Sequence, residues 1–181
     1  GVMKGVLATV APGVPIEDIA HDIPPGDVAA AARALGRYWN RYPPGSVHVV
    51  VVDPGVGTAR RALAVECAGR GVVAPDNGVV TPVLASTPWR AGTLENPRYL
   101  GPERSAPFHG RDIFAPAAGH LARGVDIEAL GSPVVDPVRL EVPLPTGGPG
   151  QGRGVVVAVD RFGNLSTNIP GEWIVPGDRV R

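Results

Sequence analysis

Cysteine is nearly absent from this sequence. Cys67 stands alone, so no internal disulfide can form, and the chain suits a reducing cytoplasm. Lysine is equally scarce: Lys4 is the only one, and every other basic side chain apart from histidine is arginine. Net charge is absent too. The 17 Lys and Arg residues balance 17 Asp and Glu residues, so no overall field draws the chain to nucleic acid or to an anionic membrane. The pair Arg60–Arg61 is isolated and far from a basic run. No apolar stretch approaches the roughly 20 residues that span a bilayer. The first residues lack a basic segment followed by an apolar one, and no signal peptide is expected. What remains is a cytoplasmic globular protein of 181 residues, room for one sizeable domain or for one domain and part of another.

Glycine (25) and proline (21) are plentiful instead, and they punctuate the chain. Residues 1–11 place Val2, Val6, Leu7 and Val10 at helical spacing. A short extended segment, 15–25, stops at Pro24–Pro25, after which Asp27 is a good N-cap for an alanine-rich helix over 28–39. "VHVVVVD" (47–53) is a continuous apolar strand, the pattern of a sheet buried on both faces. "RALAVECAG" and "GVVAPDNG" are two further short strands, and 112–124 is another helix, with Asp112 near its start and Gly124 as its stop. Strands mixed with helices predict an α/β domain with a central, largely parallel sheet flanked by helices. Residues 132–154, including "PLPTGGPGQGRG", read as a linker or long loop. After it "GVVVAVDRFGNLSTNI" reads as strand, turn and strand. The expected organisation is an α/β domain over 1–135, then a linker and the beginning of a β-type domain over 136–181. The chain opens on a helix and stops where a "PGD" turn feeds a new strand, so it reads as a piece of a longer protein.

Several polar clusters need explaining. Asp53, Gly55, Gly57, Thr58, Arg60 and Arg61 follow the valine run. A phosphate loop needs Gly-Lys-Ser/Thr opening a helix. This one has no lysine and is followed by another strand, so the phosphate reading falls. Asp53 then stands at the C-terminal end of a strand, where open α/β sheets place ligand crevices. Arg60 returns after a seven-residue loop to pair with it. Either this is the rim of an active site or an Asp-Pro-Gly turn with a surface ion pair. His109, between Phe108 and Gly110 and just before a helix, is a general base, a metal ligand or a packed core residue. Arg111 and Asp112 cap the helix start. His21, Asp22 and Asp27 would complete a His/Asp metal set with Asp53 and His109. No paired ligand spacing is present, and no metal is expected. "APDNGVV" is a strand-end turn in which Asp76 and Asn77 tolerate turn geometry. In "VDRFGNLSTNI", Asp160, Asn164, Ser166, Thr167 and Asn168 gather around Phe162 and Gly163. That cluster either serves a purine or an amino-acid head group, or is a polar hairpin turn.

Read in order, "GVMKGV", "DIAHDIPPGD", "VHVVVVDPGVGTARRALAVE", "APDNG", "FHGRDIFAPAAGHLARG" and "VDRFGNLSTNI" closely resemble the S-adenosylmethionine hydroxide adenosyltransferases, relatives of the fluorinating and chlorinating adenosyltransferases. The likeness runs through nearly the whole chain. It implies an α/β N-terminal domain followed by a smaller C-terminal β-barrel, and a homotrimer with the substrate between subunits. The implied reaction is hydrolysis of S-adenosyl-L-methionine to adenosine and L-methionine, with no cofactor. Halide transfer, or non-catalytic binding of adenosine or S-adenosylmethionine, is the alternative.

The resemblance also implies roles. Asp53, Arg60 and His109 would surround the attacking water. The halogenating relatives have tyrosine, threonine and Tyr-Ser at Asp53, Arg60 and His109–Gly110, a contrast that favours oxygen over halide. Phe108 would lie against the substrate, and Gly110 would leave room for the water. Asp160 would bind the methionine ammonium and Asn164 the adenine edge. Family members carry an earlier strand with "DFG" and a second aspartate for the ribose hydroxyls, and later segments completing the barrel. This sequence has neither.

Overall fold

The computed structural model describes residues 1–102, 105–141, 143–160, 162–175 and 177. They form two compact units, Gly1–Leu140 and Glu141–Arg181. The expected "PGD" turn and the strand after it lie outside the described residues, Gly177 apart.

The first unit carries helices α1 (Val2–Val10) and α2 (Val28–Tyr38), then strands β1 (Val47–Val49), β2 (Ala62–Cys67), β3 (Arg70–Pro75) and β4 (Trp89–Thr93). A π turn over Gly110–Phe114 runs directly into α3 (Ala115–Ala122). Asp27 caps α2 as expected: its Oδ1 accepts the Ala30 N–H at 2.8 Å.

The sheet is ordered β1-β3-β2-β4 and is mixed, which corrects the expectation of a largely parallel sheet. Only β1 and β3 run parallel; β2 is antiparallel to both β3 and β4. The reason lies in the β2–β3 connection. Cys67 and Arg70 are paired across two residues, Ala68 at φ 50° and Gly69 at φ 70°. A two-residue loop with both residues left-handed is a hairpin turn, whereas a parallel connection needs a dozen or more residues. The apolar run after Pro44 is also less buried than predicted. Its strand covers three residues, it is paired on one side, and Val51 is exposed.

Side-chain alternation divides the core between the sheet's faces. Leu63, Val65, Val72 and Ala74 meet Ala31, Ala32, Leu35 and Trp39 on one side. The α2 contributors recur at helical spacing, which turns one stripe of that helix inward. On the other side Ala64 and Val73 meet Phe114, Ala117 and Ala118, and α1 packs over α3 and the π turn. The segment after residue 132, read as linker, is held against this unit: Val134 N donates to Ala91 O at 2.8 Å and Leu140 N to Thr81 Oγ1 at 2.8 Å.

The second unit contains two antiparallel hairpins. One is β5 (Thr146–Gly148) with β6 (Gln151–Arg153), the other β7 (Val156–Val159) with β8 (Leu165–Thr167). Among the described residues, no helix is long and apolar enough to cross a membrane.

His48 on β1 is buried between Trp39 and Tyr42, with ring centroids 5.0 and 5.5 Å away. Burial, then the charge of Arg70, pushes its pKa below the ordinary 6.5. Its neutral form is the one the fold keeps, while the unfolded chain takes up a proton near 6.5. This contribution to stability is therefore complete above that pH and is lost as the pH falls below it. Urea unfolding on either side of pH 6.5 should give a lower midpoint on the acid side, and His48→Phe should reduce that acid loss.

Candidate active site

The end of the β1 segment and the loop that leads into β2 form one wall of the site. Thr58 braces the loop: its Oγ1 donates to Gly55 O at 2.7 Å and accepts the Arg60 N–H at 3.3 Å. Gly57, at φ +80°, brings the loop against the segment before His109. A Cβ there would stand 3.3 Å from Ala106 O.

The opposite wall is the π turn. Its wide ring is closed by Ala115 N–H on Gly110 O, and Arg111 and Asp112 both donate to Phe108 O at 3.0 Å. Single π turns inside helices are frequent at functional sites. Asp112 anchors this one. Its buried carboxylate accepts the Ser105 N–H at 2.9 Å and Arg111 Nη2 at 3.0 Å, and its carbonyl accepts the Gly101 N–H at 2.7 Å. The Arg111 guanidinium holds its carboxyl below the usual carboxylate range. The helix expected over 112–124 thus begins two residues earlier, as a π turn, and ends at Ala122.

Arg60 joins the two walls. Its guanidinium grips Asp53 with two parallel bonds, Nε to Oδ1 at 2.9 Å and Nη2 to Oδ2. The same Nη2 reaches His109 Nδ1 at 2.8 Å, and Nη1 donates to Arg61 O at 3.2 Å. Beneath the cation lies the fully buried Phe114 ring, 5.4 Å from Cζ to centroid. The side chains of Arg60 and Asp53 are only 10% and 5% exposed, so the surface ion pair considered from the sequence is instead a buried one. A guanidinium has five N–H donors and no acceptor. Four are committed here, and no described residue takes the fifth, on Nη1.

That arithmetic fixes the histidine. Since Arg60 can only donate, Nδ1 of His109 must accept, and a neutral ring then carries its proton on Nε2. Burial first, then the Arg60 charge, pulls the His109 pKa below the ordinary 6.5, against the opposing pull of Asp53 and Asp112. At neutral pH the ring is an uncharged Nε2–H donor.

The other sequence candidates are distributed as follows. Phe108 is 57% exposed beside His109, with the Arg111 guanidinium 5.1 Å from its ring centroid. Gly110 opens the π turn. A Cβ there would stand 3.1 Å from Met3 Sδ and 3.5 Å from Val51 Cγ1, so it admits the packing of α1. Asp160 and Asn164 meet in the β7–β8 turn. Asp160 accepts Phe162 N, Asn164 N and Asn164 Nδ2, each at 2.8 Å, using three of about four lone-pair sites. Asn164 lowers the Asp160 pKa. Asp27 is spent on its helix cap, and His21 bonds Asp18 at 3.1 Å in an exposed segment. Among the described residues no group of three or more His, Cys, Asp or Glu side chains is placed to hold a metal. Asp76 and Asn77, read only as a turn, hydrogen-bond Arg61 O and Val52 O on either side of the Asp53–Arg60 loop. Beyond their place at a strand end and in the "APDNG" motif, nothing in the sequence marks them.

Residues 1–131 match the model of the SAM hydroxide adenosyltransferase N-terminal domain. This chain belongs to that family. The (R)-S-adenosyl-L-methionine hydrolase of Thermus thermophilus is 47% identical over 93% of this chain and 68% of its own length. A Thermotoga maritima crystal structure, titled as an uncharacterized conserved protein, superposes with a TM-score of 0.88 at 39% identity, covering 94% of this chain and 66% of that one. Fluorinases are more distant members of the same group: that of Actinoplanes sp. is 30% identical over 92% of this chain and 65% of its own. The chain therefore spans about two thirds of the length of the relatives it matches.

Two outcomes test the geometry. Nitrogen-resolved NMR should find His109 as the Nε2–H tautomer at neutral pH, with a pKa below 6.5 that rises in Arg60→Met. Asp53→Ala leaves a nearly buried guanidinium without its counter-ion, and denaturant unfolding should register a loss of about 3–5 kcal/mol.

Proposed function

We propose that the protein hydrolyses S-adenosyl-L-methionine to adenosine and L-methionine by in-line attack of water on the ribose C5′ carbon. The observation that carries this reading is the Arg60 guanidinium held between Asp53 and His109 with one N–H that no described residue takes. Family membership supports it, as does the 47% identity to the (R)-S-adenosyl-L-methionine hydrolase of Thermus thermophilus.

A sulfonium is already a good leaving group, so no acid need assist methionine's departure. The difficulty is to hold a water oxygen in line and take its proton. Positioning alone supplies roughly 7–11 kcal/mol of barrier reduction. The remaining Arg60 N–H is a donor for an oxygen that gains negative character, while His109 holds the guanidinium through Nδ1 and directs its own Nε2–H away from it. Neither can accept a proton: the guanidinium is fully protonated, and His109 Nδ1 is occupied while Nε2 carries its hydrogen. Asp53 keeps lone pairs beyond its two bonds to Arg60 and is the base in this scheme. A carboxylate is weak for deprotonating free water, whose pKa is about 15.7. As the oxygen bonds to carbon, however, its proton becomes strongly acidic, and late transfer to Asp53 suffices. The C5′–O bond forms, and the C5′–S pair returns to sulfur, leaving neutral methionine.

Asp160 and Asn164 are assigned to the methionine ammonium and the adenine edge, with Phe108 against the substrate. The active species in this reading is a cytoplasmic homotrimer with sites between subunits, free of metal and cofactor, and the second unit opens a β-barrel. The cytoplasmic location is inferred from the lone Cys67 and the absence of metal from the lack of paired ligand spacing; the other assignments rest on the family resemblance.

Incubation with S-adenosylmethionine in ¹⁸O-water should give adenosine labelled at the 5′ oxygen together with methionine. No adenosine, or 5′-halogenated adenosine in excess over it, would sink the proposal. Arg60→Ala and His109→Ala should lower kcat roughly 10²–10³-fold, the magnitude typical of a lost acid–base or electrostatic group, with a smaller effect on KM. The rate should fall as the pH drops through the lowered His109 pKa, because an imidazolium cannot accept from Arg60.

A further inference from the structure

Two neighbouring residues outside the reacting set hold both of its halves. The parallel ladder between β1 and β3 proceeds as far as Val50 N on Val73 O at 3.0 Å. It then meets Pro75, which has no N–H to give, and the chain turns, Asn77 N bonding back to Pro75 O at 3.0 Å. The Asn77 side chain takes over at this point. Its Nδ2 donates to Val52 O at 3.0 Å, while its Oδ1 accepts the Val79 N–H at 3.2 Å. Val52 O lies in the planar peptide unit whose nitrogen belongs to Asp53, so this bond sets the plane from which the carboxylate projects.

Asp76 acts on the other half. Its N–H donates at 2.9 Å to Arg61 O, the carbonyl that also accepts Arg60 Nη1. Its carboxylate, 2% exposed, takes Arg61 Nε at 2.7 Å and Val138 N at 2.8 Å. One turn thus grips the peptide before Asp53 and the peptide after Arg61.

We propose that Asn77 is a positioning residue for the hydrolysis: its carboxamide extends the sheet by one side-chain rung and fixes Asp53 against Arg60. Only a group that donates on one side and accepts on the other fits between Val52 O and Val79 N–H. The kinetic consequence rests on the hydrolytic reading; the structural one does not.

Asn77→Asp keeps the size and the acceptor for Val79 but removes the donor to Val52, which makes it the sharper variant; Asn77→Ala removes both. Thr81→Val is the control. It loses bonds to Gly78 O and Leu140 N in the same turn without touching either half of the site. The full protein and these variants are compared by melting temperature, by kcat and KM, and by the ¹⁵N shifts of the His109 ring. Both Asn77 variants should lose roughly 10–100-fold in kcat with KM little changed, and their His109 shifts should move away from the pure Nε2–H pattern. Thr81→Val should melt earlier and leave kcat and the His109 shifts as they are. A folded Asn77→Asp protein with wild-type kcat and His109 shifts overturns the proposal, as does an equal kcat loss in Thr81→Val. If the unaltered protein makes no adenosine, the hydrolytic reading fails by itself and the shifts decide. Movement in Asn77→Asp but not in Thr81→Val supports positioning, and no movement overturns it.

Discussion

A guanidinium kept nine-tenths from water is the constraint on which the rest of this site depends. Such a charge is tolerated only when it is paired and its donors are used. Asp53 supplies the counter-charge in bidentate form, His109 and the Arg61 carbonyl take further N–H groups, and Phe114 offers its ring face. These partners come from three places: the segment after β1, the start of β2, and the π turn, which His109 precedes and Phe114 ends. Satisfying one cation therefore ties one edge of the sheet to the helical layer above it.

The fold is arranged to bring those elements together. The tight β2–β3 hairpin reverses the chain, so the start of β2 and the end of β3 fall at the same end of the sheet as the end of β1. Arg60 and the Asp76–Asn77 turn consequently stand beside Asp53. The π turn has a comparable effect on the helical side: its extra residue changes how Phe108, His109 and Gly110 enter α3, and Asp112 holds that geometry with its buried carboxylate.

Much of this was legible in the sequence. The Asp27 cap, the three helices and the existence of β1, β2 and β3 followed from spacing and cap chemistry, and Asp53 with Arg60 stood out as a carboxylate and a cation flanking a short loop. What spacing left undecided was burial, because an Asp-Pro-Gly turn looks the same whether its ion pair is wet or dry. The mixed sheet was hidden for a specific reason: Ala68 is an unusual choice for a left-handed turn residue, so "AGR" does not advertise a hairpin as Asn-Gly would. The π turn has no local signature in "HGRDIF". Asn77 was missed because its work is a long-range bond to Val52, 25 residues away, and turn propensity explains an asparagine there equally well.

The donor count also bears on the choice between water and halide. An N–H from Arg60 welcomes any anion, so by itself it does not separate hydroxide from chloride or fluoride. Asp53 does. A halide arrives already charged and would have to settle near a carboxylate, and in a site shielded from water that repulsion is poorly screened. Water arrives neutral, offers a hydrogen to the same carboxylate, and becomes anionic only as its proton leaves. Under the proposed reaction, the aspartate that makes the buried arginine tolerable is also the group that selects the nucleophile, and neither task can be altered without disturbing the other.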